Sequence, residues 1–436
     1  MAFKKNTIDI ISMGCSKNLI DSERLLRRLS ARGYEVRHDP EKPHGEYVVV
    51  NTCGFINDAK EESINMILEL GELKRRNGIG HLVVMGCLSQ RYMDELKESM
   101  PEVDIWYGKF DWASFVDELP DRSGEAAPRP WERKLTTPPH SAYLKISEGC
   151  NRFCAFCAIP LITGRHTSRP IDEILDETRK LVADGVKEFN VIAQDLSSYG
   201  LDLYGEHRLA ELIDRMADIA GVEWIRLHYA YPADFPMEIL DVMARRDNVC
   251  KYMDIALQHI SDPVLANMRR HISAQETRDL LDEMRRRVPD IKIRTTLMVG
   301  FPGETDEAFE ELLDFLRAQR FDRMGAFAYC EEEDTFAAKN LYDNIPDEVK
   351  QSRLDKLMAT QEEVSAALAQ KMVGKRVRLL VDEREGDTLL CRSQWDSPEV
   401  DCTFYVKDSD AKPGDFIEAE VTDADLFDFT AKEIKR

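Results

Sequence analysis

The chain has 436 residues, of which 59 are Lys or Arg and 81 are Asp or Glu, giving a formal charge of −22. That length holds two or three domains with cores of their own. The charge repels free nucleic acid at long range and draws basic partners, while leaving room for a local basic patch. Hydrophobic residues make up 43%, yet no apolar run nears the roughly eighteen residues that a membrane span needs. The opening MAFKKNTIDIISMGC has a short, strand-like apolar stretch in place of a secretory h-region. The expectation is a soluble cytoplasmic protein with no membrane partner. Ten cysteines in such a chain point to metal or catalytic use more than to disulfides.

In residues 1–120, TIDIISMG, EYVVVNT and HLVVMG are β-rich apolar runs. NLIDSERLLRRLSARG and DAKEESINMILELGELKRR have helical spacing and lie between them. The alternation predicts a parallel sheet with helices on its faces. Each apolar run ends at a cysteine: Cys15, Cys53 and Cys87. Strand ends of a parallel sheet share one edge, where ligands collect. Three thiols there could hold an iron–sulfur cluster with one iron lacking a protein thiolate. The bland alternative is a small apolar residue at a strand end.

Residues 121–140 carry four prolines and no apolar period, which predicts a linker. Over a predicted domain of 141–370, alternation resumes from 141 to about 330 with AYLKIS, EFNVIAQ, WIRLHYA, YMDIALQ, IKIRTTLMVG and RMGAFAY as strands. Six βα units suit an open barrel, whose active site lies at the C-terminal strand ends. A long polar helix pattern closes the segment at 347–370. Over 371–436, KRVRLLVDE, TLLCRSQ, CTFYVKD and FIEAEVTDA predict a small closed β-barrel.

Directly after the first barrel strand comes SEGCNRFCAFCAIP, with Cys150, Cys154 and Cys157 in a C-x3-C-x2-C pattern. Structural zinc and ordinary electron-carrying clusters take four protein ligands, so three thiolates leave a coordination position open. Zinc with His140 or His166 as fourth ligand is the alternative on these residues. Two turns at the predicted catalytic face, IAQDLSSYG (192–200) and VGFPGET (299–305), offer close backbone approach and polar groups. His228 and His259 read as satisfied structural histidines. Cys250, Cys330, Cys391 and Cys402 show no grouping and read as packed cysteines.

The three-cysteine stretch, with Phe156 before its last cysteine, resembles the cluster motif of radical S-adenosylmethionine (SAM) enzymes. The resemblance implies that the open iron binds SAM and that an electron from the cluster cleaves it to a 5′-deoxyadenosyl radical. With SAM as the ligand, the candidate contacts by their positions are Phe156, Gln194, Asp195, Arg294, Gly300, Gly303 and Glu304. The three-part plan resembles the methylthiotransferases along nearly the whole chain. The fold class implied is α/β: an N-terminal parallel α/β domain, an open (β/α)6 radical-SAM barrel and a small TRAM-like β-barrel. In that family the cofactors are two 4Fe–4S clusters and SAM, and the second cluster, here at Cys15, Cys53 and Cys87, handles the sulfur.

Two branches of the family compete, one modifying an adenosine of tRNA and the other an aspartate β-carbon of ribosomal protein S12. GCSKNLIDSE (14–23), LHYAYP (227–232) and LQHISDPVLANMRR (257–270) resemble the S12 branch. Residues 373–436 hold ten Lys or Arg and sixteen Asp or Glu, about −6 in all. A tRNA-gripping domain should be basic, whereas an acidic one suits a basic ribosomal protein. Both arguments speak against tRNA. The resemblance further implies a reducing partner such as flavodoxin or ferredoxin, and a sulfur donor. A non-catalytic iron–sulfur protein is the contrasting class, and it would need neither a SAM site nor a substrate barrel.

Overall fold

A computed structural model of the chain describes residues 3–435. Met1, Ala2 and Arg436, at the ends of the predicted first and last domains, lie outside the described residues. The chain divides into two compact units. One comprises Met1–Thr137, Glu148–Cys150 and Ala158–Arg165. The other comprises Pro138–Ser147, Asn151–Cys157 and His166–Arg436. The boundary runs through the C-x3-C-x2-C loop.

The first unit carries a five-stranded parallel sheet of β1 (Lys4–Ser12), β2 (Glu35–His38), β3 (Gly45–Thr52), β4 (His81–Gly86) and β5 (Ile105–Trp106), in the order β2-β1-β3-β4-β5. Helices α1 (Ser16–Ala31), α2 (Asn57–Arg75) and α3 (Cys87–Ser99) connect its strands. Ile8, Ile10, Val49 and Val83 join one core, and Ile11, Val48, Val50 and Val84 another. Burial on both faces is why these strands read as unbroken apolar runs. The proline-rich stretch is coil pinned to α1: Thr136 N–H donates to Glu23 Oε1 at 2.8 Å, and Lys134 N–H to the Glu23 carbonyl at 3.1 Å.

In the second unit, β6 (Ser141–Lys145) begins the barrel sheet. Two short strands, β7 (Ser147–Glu148) and β8 (Thr167–Ser168), flank the cysteine loop. The sheet continues with β9 (Glu188–Ile192), β10 (Trp224–Ala230), β11 (Val249–Gln258), β12 (Lys292–Val299) and β13 (Arg323–Ala328). Its order is β13-β12-β11-β10-β9-β6, every pairing is parallel, and β6 and β13 are its two edges. The helix Asp347–Gln370 leads to a closed barrel of β14 (Arg376–Glu385), β15 (Thr388–Ser393), β16 (Phe404–Lys407), β17 (Phe416–Ala424) and β18 (Phe429–Glu433). Leu379, Val381, Leu389, Phe404, Val421 and Phe429 fill it.

The small barrel docks on the N-terminal ends of the large barrel's strands. Glu188, first in β9, is fully buried and bonded to Arg226 of β10 and to Arg392 of β15, the latter at 2.7 Å. Arg226 also donates to the Ser393 carbonyl at 3.0 Å. Arg323, first in β13, meets Asp396 at 2.6 Å. Trp224 and Phe416 stack edge to face at 4.9 Å. These contacts correct one expectation: Arg294 does not face the catalytic mouth. It is the third residue of β12, and its guanidinium is held at 2.6 Å by Asp401 of the small barrel.

Candidate metal centres

Cys15, Cys53 and Cys87 follow the C-terminal ends of three neighbouring strands, β1, β3 and β4. Cys15 is the N-cap of α1, and Cys87 is the first residue of α3. Helix N-termini carry partial positive charge and favour thiolates. The strand-end loops are packed to glycine distance. A Cβ on Gly14, where φ is +93°, would stand 2.8 Å from Cys53 Cβ and 3.0 Å from its Sγ. One on Gly54 would stand 2.8 Å from the Cys87 carbonyl carbon.

Asn18, in the first turn of α1, ties the three loops together. Its Nδ2 donates to the carbonyls of Met13 at 3.2 Å and Thr52 at 2.9 Å. Its Oδ1 accepts from Cys87 Sγ at 3.4 Å and from Lys109 Nζ at 3.3 Å. The thiols also sense one another. Burial raises the Cys87 thiol to about 11; Lys109 opposes the shift, while Cys15 and Cys53 add to it. Burial raises Cys53 too, and Cys15 contributes. Cys15 is lowered: against desolvation, Lys17 and the backbone N–H groups of Asn18 and Lys17 favour its thiolate.

This donor set, thiols only and two of them at helix starts, fits an iron–sulfur cluster. Among the described residues, no three His, Cys, Asp or Glu side chains form a grip for a single metal ion. A cube of iron and sulfide is wider than one ion, and the thiolates that hold it stand farther apart. The histidines proposed for zinc have other partners. His140 Nε2 lies 3.2 Å from Asp382, and His166 Nε2 lies 3.1 Å from Ser168 Oγ.

In the second cysteine set, Cys150 N–H donates to the Gly164 carbonyl at 3.2 Å within the first unit. In the second unit, Cys157 N–H closes a turn on the Cys154 carbonyl at 3.0 Å. Ala155 N–H donates to the Met268 carbonyl at 2.9 Å, and Phe156 packs edge-on against Phe301 at 6.1 Å. Cys154 Sγ accepts a hydrogen bond from Arg270 Nη1 at 3.2 Å. That guanidinium is buried and lies 4.1 Å from the centre of the Tyr231 ring. The Tyr231 hydroxyl donates to the Arg270 carbonyl at 2.7 Å. The loop is thus anchored by a cation aimed at one of its sulfurs.

The predicted polar contacts sort themselves by partner. Gln194 is half-buried at the end of β9. Asp195 is buried and accepts from Arg152 Nε at 2.7 Å and from Ser197 N–H at 2.9 Å. Glu304 is fully buried and occupied by His259 at 3.0 Å, by Gly300 N–H at 2.6 Å and by Arg353 at 2.6 Å. It builds the turn that carries Gly300 and Gly303. His259 accepts from Ser261 N–H at 3.0 Å, and His228 meets Asn190 at 3.3 Å. Cys250, Cys391 and Cys402 are packed, whereas Cys330 is exposed because it lies just past β13 on a loop. Sequence reading missed Asn18, Lys109, Arg270 and Tyr231. Only Asn18 gave a signal, three residues after Cys15 and so back at the start of the same helix.

Three family models match the chain: the Radical SAM superfamily over residues 144–316, the Uncharacterized protein family UPF0004 over 7–108, and the TRAM domain over 373–434. A Phocaeicola vulgatus protein named ribosomal protein uS12 methylthiotransferase RimO is 58% identical over 98% of this chain and 99% of its own length. Its namesake from Flavobacterium johnsoniae is 46% identical over 98% of both. Among solved structures, the radical SAM methyltransferase TsrM of Kitasatospora setae, with cobalamin and a [4Fe-4S] cluster bound, aligns with a TM-score of 0.55 at 16% identity, covering 74% of this chain and 72% of that one. The likeness is one of fold.

Proposed function

The chain belongs to the RimO family of radical SAM methylthiotransferases, and on that premise we propose that it adds a methylthio group to the β-carbon of an aspartate in ribosomal protein S12. The observation that carries the reading is the 58% identity along nearly the full length of both chains. When bound, SAM and a pair of 4Fe–4S clusters supply the radical that removes the hydrogen, the sulfur that replaces it and the methyl group.

The chain's own residues position and protect. Cys150, Cys154 and Cys157 hold the SAM-binding cluster, and Cys15, Cys53 and Cys87 hold the auxiliary one. Arg270 steadies the Cys154 thiolate through a charge-assisted hydrogen bond. Phe156, Gln194, Gly300 and Gly303 stand on the strand-end turns that receive SAM. Asp195 and Glu304 shape those turns through their buried hydrogen bonds, and Arg152 is fixed by Asp195. Placement of substrate carbon and sulfur within reach, with water kept out, is the protein's share of the chemistry.

Exposed acids on the small barrel, among them Glu383, Glu385, Asp387, Asp408 and Asp410, suit a basic ribosomal protein. A flavodoxin or ferredoxin supplies electrons, a separate donor replenishes sulfur, and the reaction runs in the cytoplasm. The test is anaerobic. Reconstituted protein receives SAM, a strong reductant and sulfide, with S12 and unmodified tRNA offered in parallel and read by mass spectrometry. A methylthio group in place of one hydrogen on an S12 aspartate is expected. The same gain on tRNA would overturn the substrate assignment and keep the chemistry.

A further inference from the structure

Next to the three N-terminal thiols lies a buried ion pair that the proposed reaction does not use. Lys109 follows β5 and is 3% exposed. Its ammonium meets Asp21 of α1 at 2.9 Å, and Asp21 is itself 6% exposed. A second bond runs to Asn18 Oδ1 at 3.3 Å, the same oxygen that accepts from Cys87 Sγ at 3.4 Å. One amide oxygen therefore joins the lysine to a thiol of the site. A surface lysine would be screened by water, but a buried one acts at low dielectric and close range.

The lysine stays charged. Burial is the largest single effect and disfavours the ammonium, but Asp21, Glu148 and Cys87 together outweigh it and raise its pKa above the ordinary lysine range. The ammonium bonds the amide oxygen that also receives the Cys87 thiol, and Asp21 in turn bonds the ammonium. The pair is thus polar with respect to the site, positive end foremost.

We propose that Lys109 and Asp21, held through Asn18, are positioning residues that set the reduction potential of the auxiliary cluster. The proposal rests on the reading that Cys15, Cys53 and Cys87 hold that cluster. Reduction adds negative charge among thiolates, so a buried cation raises the potential and a buried anion lowers it. The same positive end favours an anionic sulfur ligand at the iron that lacks a protein thiolate.

The test uses the full chain with Cys150, Cys154 and Cys157 replaced by Ala, so that only the auxiliary cluster is seen. Iron is counted, and the midpoint potential is read by an electron-paramagnetic-resonance titration. K109Q is expected to shift the reduction equilibrium tenfold toward the oxidised form, 59 mV for one electron. D21N is expected to shift it the opposite way, and K109R to leave it within twofold. In the complementary chain, with Cys15, Cys53 and Cys87 replaced instead, K109Q should leave the remaining cluster's potential unchanged. A merely structural role cannot give opposite signs for K109Q and D21N, and D21N keeps the test decisive if K109Q does not fold. Iron bound at equal potential in all variants would overturn the proposal alone. No iron in the parent chain would overturn the ligand reading and the proposal with it.

Discussion

Arg270 holds several parts of the fold at once and, on the proposed function, stands behind one cluster sulfur. Its backbone carbonyl receives the Tyr231 hydroxyl, while its guanidinium reaches both the Ala256 carbonyl and Cys154 Sγ. Loss of a partner just behind a metal ligand typically costs 10–100-fold. R270Q should therefore keep its iron yet cleave SAM about tenfold more slowly, as measured by 5′-deoxyadenosine release from the reduced protein. Unchanged cleavage would sink the role. The positions of the six grouped cysteines, three just past strands and three in one loop, were legible because the pattern repeats in the sequence. Arg270 was not, because 116 residues separate it from Cys154 and nothing local marks the pairing. Asp195 and Glu304 were legible as turn residues, but their partners were not. Only the structure reveals that their oxygens are already occupied by Arg152, His259 and Arg353.

At the scale of elements, the strands buried on both faces were readable as apolar runs, and the short edge strands were not. β2 and β5 hold four and two residues, too few to establish a period. β18 was also missed, although it closes the small barrel by pairing parallel to β16 and antiparallel to β17. Its sequence FTAKE buries only Phe429 and Ala431, and an acidic stretch precedes it. Phe429 stacks on Phe404 with ring centres 4.6 Å apart. Phe429→Ala should destabilise the barrel by about 3–4 kcal/mol, read by denaturant unfolding and by faster amide exchange along β16 and β17. A loss under about 1 kcal/mol would mean that the closing strand contributes little.

Across the whole of the second unit, acidic residues of the small barrel are consumed internally. Asp396 and Asp401 pair with Arg323 and Arg294, so the acidity counted from sequence overstates the charge left for a partner. Glu188 is the centre of the docking. Burial alone would raise its pKa, but Arg392 and Arg226 hold it well below the usual carboxylate range. A carboxyl depressed in the fold adds stability that is fully present above its unfolded value, about 4.3, and lost as pH falls from there. Docking should therefore weaken in acid. Glu188→Gln should remove that pH dependence and, by stranding two buried arginines, cost about 3 kcal/mol at neutral pH. Paired unfolding curves at neutral and acid pH would decide it, and parallel pH profiles for both proteins would count against the role. Alternation in the sequence revealed both barrels. It could not reveal the docking, whose partners lie as far apart as Glu188 and Arg392.

The place of that docking bears on traffic. With the small barrel seated on the N-terminal strand ends, the large barrel is stoppered along its axis at one end. The cysteine loop and the turns after β9 and β12 lie at the other. Along that axis there is a single doorway. On the proposed function, a molecule that travels along the axis both enters and leaves by that one end, so arrival and departure share a path.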